Sequence, residues 1–379
     1  MRPRILIVAP NLLYGEPNPR SIRARRLAAG LAGRGLEIEV LTWWSGQEQQ
    51  PERPDWLGGG RLHAVTAASP FESWVEGAAQ PPTEGAALDA WTEAAIADIA
   101  PGSAHHRPGL VWAIGVPVAA LVAGARLAEA LGVDLVADLG DPWQAPGEAA
   151  AAERERTLAA AAALVTTTEA LAERLQPLLH PGTPIRLIPN GGEIRRRPSG
   201  PRPEPPLFAH LGAINAGRVD PRPAFAALAE LHDEGKIEFR SHSTGFHPAI
   251  DELAHPQLPL LPHEQALELG AGAAAALVLG NDDPAQLPSK AFEIACTETW
   301  ALCVREHAED PAAALLERSG HAVIATANEP KAIRAAAEEI LGRERSGLCP
   351  APDPAQSWDG RVAAVADLIG ELAEPRHPS

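Results

Sequence analysis

The sequence predicts an α/β protein built on two doubly wound parallel sheets. Short runs of uninterrupted apolar residues, such as Ile5–Val8 and Ala275–Leu279, recur along the chain, as in strands buried on both faces. They alternate with longer segments whose apolar residues fall at helical spacing. Between two such series lies a stretch, 195–206, in which arginine and proline displace almost every apolar residue.

In the first series, Ile5–Val8 opens as a strand and a turn-rich loop from Asn11 to Pro19 follows. A helix is expected over Arg20–Arg34, where Ala24, Leu27, Ala28 and Leu31 keep i, i+3, i+4, i+7 spacing. Gly33 and Gly35 end it, and Glu37–Thr42 completes a βαβ unit. Further strands are expected at Leu62–Thr66, Leu110–Ala113, Leu135–Asp138, Ala163–Thr166 and Ile185–Ile188. The helices between them are expected at Ala87–Ile99, Val116–Leu131, Gly147–Thr157 and Glu169–Leu179, and Ser45–Gly60 reads as a long loop.

The second series is expected to place strands at Leu207–Leu211, Ile237–Ser241, Ala275–Leu279, Trp300–Val304 and Ala322–Ala325. Its helices are expected at Arg222–Glu234, Pro262–Gly270, Pro288–Thr297, Pro311–Arg318 and Pro330–Leu341, with a last one over Ala355–Leu372 after a proline-rich spacer. The domains are therefore expected at 1–194 and 207–352, with 195–206 as a stiff linker and 353–379 as a terminal helical segment. Two α/β halves so joined imply a cleft, and open α/β sheets bind ligands at the carboxyl ends of their strands.

Composition narrows the function. The 379 residues carry 32 Lys plus Arg against 49 Asp plus Glu, a net charge of −17, which argues against nucleic acid as a partner. A hydrophobic fraction of 45% suits a globular chain. No apolar stretch approaches the roughly 20 residues of a membrane span, and no signal-peptide core follows Arg4, so a cytoplasmic location is expected. Cys296, Cys303 and Cys349 have no metal or disulfide spacing. His105-His106, with no further ligand at metal spacing, reads as a solvated loop pair, and no metal or other cofactor is expected.

The most informative segment is Leu279-Gly-Asn-Asp-Asp-Pro-Ala-Gln-Leu-Pro-Ser-Lys-Ala-Phe-Glu293. A buried strand leads through a polar loop to a helix, whose Ser289, Lys290 and Glu293 share one arc. Free amides at the helix start, its dipole and the Lys290 charge make an anion site suited to a diphosphate. Glu293, one turn deeper, is placed to accept two ribose hydroxyls. The plainer alternative is an i,i+3 surface pair between Lys290 and Glu293.

The segment Leu287-Pro-Ser-Lys-Ala-Phe-Glu-Ile-Ala295 resembles the donor-binding helix of GT-B glycosyltransferases, in particular the retaining glycosyltransferase family 4. Several other stretches are similar to that family in the same order. They are the opening strand, loop and helix; Asp138-Leu-Gly-Asp-Pro-Trp143; Ala170–Leu175 with Ile188-Pro-Asn-Gly191; and Leu211-Gly212 through Arg218 and Asp220. The resemblance implies two Rossmann-like domains facing across a cleft, a nucleotide-diphosphate sugar held by the second domain, and a last helix crossing back to the first. It implies that Glu293 holds the donor ribose. It also exposes departures: Ala285 stands where the first Glu of a Glu-x7-Glu motif falls, Gly140 replaces an Arg, Leu36 replaces a His, and no His occurs near Val111–Gly115.

For a departing diphosphate, preorganised positive charge is the largest aid to catalysis. Lys290, the amides around Ser289, and Arg218 after Gly212 are the candidates, with Arg222 a weaker one. The backbone at His242-Ser-Thr-Gly245 either approaches phosphate or simply turns. On the acceptor side, Asp138 and Asp141 are candidate bases or acceptor contacts, or turn and cap residues. Trp143 lines the acceptor pocket or packs, and Arg20 and Arg23 face the cleft or lie on a solvated helical face. Asn190-Gly191 reads as a tight turn. The expected reaction is metal-independent, retaining transfer of a sugar to a small-molecule acceptor, with Arg20, Arg23, Arg25 and Arg26 leaving a weak peripheral membrane contact open. The departures motivate one alternative, a non-catalytic sugar-nucleotide-binding or partner subunit; another, a GT-B sugar-nucleotide epimerase, needs cleft acids and a histidine that the sequence does not place.

Overall fold

A computed structural model describes the chain except residues 1–3, 14–18, 47–50, 67–70, 72–82, 84, 101–106, 116, 146, 201, 216, 246 and 374–379. The histidine pair at 105–106 lies outside the described residues. The chain divides into two compact units, one formed by 1–190 with 361–379 and the other by 191–360.

In the first unit, strands β1 (Arg4–Val8), β2 (Glu37–Trp43), β3 (Arg61–Val65), β4 (Leu110–Gly115), β5 (Asp134–Leu139), β6 (Ala163–Thr166) and β7 (Ile185–Leu187) form one parallel sheet. Its order is β3-β2-β1-β4-β5-β6-β7. The crossovers are helices α1 (Pro19–Gly33), α2 (Ala86–Ile99), α3 (Ala119–Leu131), α4 (Glu148–Ala159) and α5 (Glu169–Leu175). Glycine ends α3: Gly132, at φ +66°, donates its amide to the Ala128 and Glu129 carbonyls, a conformation that would strain a side-chain-bearing residue. Thr168 starts α5 by accepting the Leu171 amide at 3.1 Å.

The second unit repeats the plan. Strands β8 (Leu207–Ile214), β9 (Glu238–Gly245), β10 (Gln257–Leu258), β11 (Ala275–Leu279), β12 (Trp300–Val304) and β13 (Ala322–Ile324) run parallel in the order β10-β9-β8-β11-β12-β13. Helices α6 (Arg222–Asp233), α7 (His263–Gly272), α8 (Lys290–Ala295), α9 (Pro311–Arg318) and α10 (Pro330–Arg345) accompany them. Both sheets reverse their winding once, at β1/β4 and at β8/β11, where adjacent crossovers leave on opposite faces and open a crevice above the strand ends. Among the described residues no helix is long and apolar enough to cross a membrane.

The final helix α11 (Trp358–Ala373) contains the division between the units. Its Val362, Val365, Leu368 and Ile369 join the core of the first unit with Ile5, Ile7 and Leu27, each burial contributing roughly 1.5–3 kcal/mol. Val362 seats where α1 has only Gly30: a Cβ there would meet its Cγ2 at 2.5 Å.

Several elements differ from expectation. The segment after Ile194 expected as a linker is fastened to the second unit. The Arg195 amide donates to the Cys296 carbonyl at 2.9 Å, and both Arg197 and Arg202 pair with the buried carboxylate of Glu344. A groove of about 750 Å³ lies beneath it, lined by Arg197, Arg202, Leu207 and Lys236. Leu207 begins β8, so this groove is at the amino end of the sheet, opposite the crevice. The Ser45–Gly60 loop contains a single turn, Asp55–Leu57, that buries Leu57. The helix expected over Pro288–Thr297 shrinks to α8 because its first amides close i→i+3 bonds to Pro288 and Ser289.

His63 in β3 is buried against two carboxylates, its Nδ1 2.5 Å from Asp98 on α2 and its Nε2 3.1 Å from Glu39 on β2. Arg4 on β1 also reaches Glu39, at 3.4 Å. Burial pulls the imidazole pKa down, but hydrogen bonds to Glu39 and Asp98 outweigh it and leave the pKa raised. A raised folded-state pKa contributes stability that is complete below about 6.5 and is lost as pH rises through the folded value. The wild-type Tm should therefore fall relative to His63→Gln as pH is raised from 6 to 8.5. Parallel Tm profiles of the two proteins would contradict this account.

Candidate functional site

The winding reversal of the second sheet gathers the groups expected to meet a donor. Strand β8 carries His210 and Gly212 toward its carboxyl end, and Arg218 follows in the loop. Arg218 is tied to the end of β11: its Nη1 donates to the Leu279 carbonyl at 3.2 Å, and its backbone bridges to Asn281. Lys290, at the start of α8, brings its Nζ to 3.5 Å from His210 Nε2. Gly212 lies beside it at φ +102°, a conformation that favours glycine; a Cβ at that position would meet Nζ at an ordinary 3.8 Å.

Lys290 makes no ion pair among the described residues. Burial and the repulsion of the Arg218 guanidinium push its pKa down to about 7, against the weaker attraction of Glu293. His210 is fully buried, and burial, Lys290 and Arg218 together hold it far below its ordinary pKa, so it is a neutral imidazole. Burial raises the pKa of Glu293, opposed by His263, Lys290 and Arg195. Lys290 and Glu293 are both half-buried and no ion pair joins them, which departs from the alternative of a surface pair between them. Their stems flank a cavity of about 40 Å³ closed by Leu211, Leu277 and Ile294.

Ser289 precedes α8 in helical conformation, its side chain capping nothing and its carbonyl accepting the Phe292 amide. Arg222 is neutralised by Asp220 and by Glu252 at 2.7 Å, which removes it as a phosphate ligand. The stretch His242–Gly245 is not a loop. It is the second half of β9, in register with Leu211–Ile214 of β8. Gly245 (φ +154°) is required there by its neighbour, since a Cβ would meet the Ile214 carbonyl oxygen at 1.9 Å, which gives it a packing role.

In the first unit two expected acceptor contacts are corrected. Asp138 at the end of β5 and Arg23 on α1 are both buried and bound to each other, Arg23 Nε lying 2.9 and 3.1 Å from the two carboxylate oxygens. Trp112 Nε1 donates to the same carboxylate at 2.9 Å, while the Arg23 guanidinium donates to the Ile188 and Pro189 carbonyls. Every polar group is spent within the fold, leaving neither residue available as a base or acceptor ligand. Trp143 is 4% exposed and packs inside the unit, so it lines no acceptor pocket. Asp141 stays partly exposed but is ion-paired with Arg20.

Two features escaped the sequence reading. His210 is the single polar side chain within the apolar run Leu207–Leu211, and a lone polar residue in a buried strand was the available signal. Asp282, Glu306 and His307, from the loops after β11 and β12, bring ligand atoms within 4.8 Å of one another and could accept a divalent cation. They are exposed, and they are far apart in sequence.

Residues 21–191 match the family described as glycosyl transferase 4-like domain. The sucrose-phosphate synthase of Thermosynechococcus elongatus superposes with a TM-score of 0.64 at 15% identity, over 98% of this chain and 99% of that one. The chain has the GT-B fold, and its residues 21–191 match a glycosyl transferase 4-like domain. Anabaena HepE, solved in complex with UDP and glucose, gives a TM-score of 0.59 at 12% identity over 98% and 97% of the two chains. The UDP-GlcNAc 2-epimerase of Methanocaldococcus jannaschii gives 0.53 at 13%, over 97% and 100%. No curated protein matches the sequence at a significant level. In this GT-B fold, truncating Arg23 to Ala leaves a buried carboxylate unpaired, at a cost of about 3–5 kcal/mol. Urea denaturation should show a loss of that size, and a variant as stable as wild type would refute the structural role of the pair.

Proposed function

We propose that the second unit binds a nucleoside-diphosphate sugar, with the diphosphate at Lys290 and Arg218 and the ribose at Glu293, and that the sugar passes to a small-molecule acceptor with retention and without a metal. The observation that carries this reading is the Lys290 ammonium. It is half-buried, makes no ion pair among the described residues, and sits at the β8/β11 reversal where a parallel sheet accepts ligands. A second cation, Arg218, lowers its pKa, and an arriving dianion relieves the repulsion.

In this reading the bond between the anomeric carbon and the diphosphate breaks, and the acceptor oxygen bonds to that carbon. Lys290 and Arg218 hold the charge that accumulates on the departing phosphate. With Asp138 sealed in its ion pair, the acceptor proton goes to the departing phosphate oxygen, and Asp141 is left as an acceptor contact. The epimerase alternative shares the fold, and incubation with donor alone separates it by its product. A second reading, donor binding without transfer, draws on Ala285, which is fully buried where a sugar-contacting Glu is expected. Nucleotide binding without turnover of any donor and acceptor tested would select it.

Calorimetric titration with UDP and with inorganic pyrophosphate tests the assignments. Glu293→Ala should weaken UDP by about 10- to 100-fold, the worth of one charged hydrogen bond, and leave pyrophosphate unchanged. Lys290→Ala should weaken both. Unaltered UDP affinity in Glu293→Ala would end the ribose assignment. Because the binding form of Lys290 is protonated and its free pKa is about 7, affinity for either ligand should decline as pH rises from 6 to 9. Lys290→Arg, charged throughout, should lack that decline.

A further inference from the structure

A chain of hydrogen bonds runs from the edge strand of the second sheet to the ammonium of Lys290, and its acceptor-only and donor-only ends suggest one polarity. It begins at Gln257 in β10. The carbonyl of His255 can only accept, so the Gln257 amide must present Nε2 to it, at 2.9 Å, and turn Oε1 the other way. Oε1 receives the hydroxyls of Ser241, at 2.7 Å, and of Ser243, both in β9 and both buried. Ser241 Oγ lies 2.7 Å from Gln257 Oε1 and 3.0 Å from Ser243 Oγ, and we assign its one proton to the shorter bond, to Gln257. The Ser241 oxygen faces His210 Nδ1 at 3.4 Å and can then only accept there. The neutral ring of His210 therefore carries its proton on Nδ1 and turns the lone pair of Nε2 toward Lys290 Nζ, 3.5 Å away. Phe225, edge-on to the ring with centroids 5.8 Å apart, holds its plane.

We infer that His210, fixed as the Nδ1–H tautomer by Ser241 and Gln257, is a positioning residue that accepts a hydrogen bond from the Lys290 ammonium and aims it at the diphosphate. The inference rests on the assignment of Lys290 to the diphosphate. A half-buried ammonium beside a guanidinium needs an acceptor to remain charged, and a carboxylate there would compete with the ligand for it. A neutral imidazole lone pair supplies the hydrogen bond without neutralising the charge. The opposite tautomer would point an N–H at the ammonium, so the relay through Ser241 and Gln257 decides whether Lys290 is charged and placed when ligand arrives.

The test has two parts. First, 15N-histidine NMR of the wild-type protein should show a pyrrole-like Nδ1 and a pyridine-like Nε2 for His210, identified by loss of its signals in His210→Gln. A pyrrole-like Nε2 or an imidazolium at pH 7 would overturn the proposal. Second, pyrophosphate affinity is followed from pH 6 to 9. His210→Phe, which keeps the ring but removes the acceptor, should bind within 3-fold of wild type at pH 6 and at least 10-fold more weakly at pH 8, its midpoint moved to lower pH. His210→Gln, whose side-chain oxygen can take the place of Nε2, should restore the wild-type midpoint. Ser241→Ala should move the midpoint in the same direction as His210→Phe, and it provides the comparison should His210→Phe fail to fold. An equal loss at every pH, or an unshifted midpoint, would show a merely structural histidine. Failure of the wild-type protein to bind pyrophosphate or UDP would instead remove the diphosphate assignment, while the tautomer result would stand.

Discussion

A half-buried ammonium with no ion-pair partner among the described residues, at the end of a parallel sheet, is the constraint around which the second unit is organised. Burial and the repulsion of the Arg218 guanidinium push its pKa down to about 7. Such a group stays protonated only if fixed dipoles or an incoming anion stand in for water. The surroundings supply one such dipole, the imidazole of His210, 3.5 Å to one side. Loop, strand and helix meet there because the winding of the sheet reverses between β8 and β11, so the topology creates the crevice and the sequence charges it.

The first unit also buries an arginine and an aspartate, yet to a different end. Arg23 and Asp138 satisfy each other, and the surplus donors and lone pairs are met by Trp112, Ile188 and Pro189. Nothing is left over for a ligand. What separates structural from functional buried charge is completeness: the Arg23–Asp138 pair is closed, whereas Lys290 lacks a counter-charge. The same contrast explains how Gly140 can replace an arginine expected by resemblance. A Cβ at Gly140 would meet Arg20 Nη1 at 2.3 Å, so the guanidinium of Arg20 fills that space and pairs with the neighbouring Asp141. The charge is delivered from α1 and not from the loop.

Most of the fold was legible because a doubly wound sheet writes itself into the chain as alternating apolar runs and amphipathic helices, and those periodicities are local. Helix ends at Gly132 and Thr168 followed capping chemistry. The second half of β9 was illegible because Ser241 and Ser243 are buried as hydrogen-bonding partners, and polar residues in a strand look like a loop. Strand β10 has only two residues, too few for any period. Of the site, Lys290, Glu293, Arg218 and Gly212 could be read from one loop–helix segment and a glycine after a strand. Arg23, Asp138 and Trp143 were placed correctly in the chain and misjudged in depth, since the Arg23–Asp138 contact spans 115 residues that no local pattern encodes.

Ala285 shows how much of a donor this loop can address. Its backbone amide is taken by the Asp283 carboxylate at 2.9 Å, and the next residue's carbonyl accepts Asn281 Nδ2 at 2.9 Å. Asn281 is in turn anchored through its own amide to Asp310, which also caps α9 at the Ala313 amide. The loop is therefore braced from both ends around a fully buried methyl group. A glutamate in place of that methyl would have to force its carboxylate into the packed interior or break the brace, so the sugar cannot be read from this position in the way the family resemblance implies. Holding a nucleoside diphosphate and recognising the sugar attached to it are then separate tasks. In the proposed donor site Lys290, Arg218 and Glu293 take the first, which leaves the second to residues outside the Glu-x7-Glu pattern.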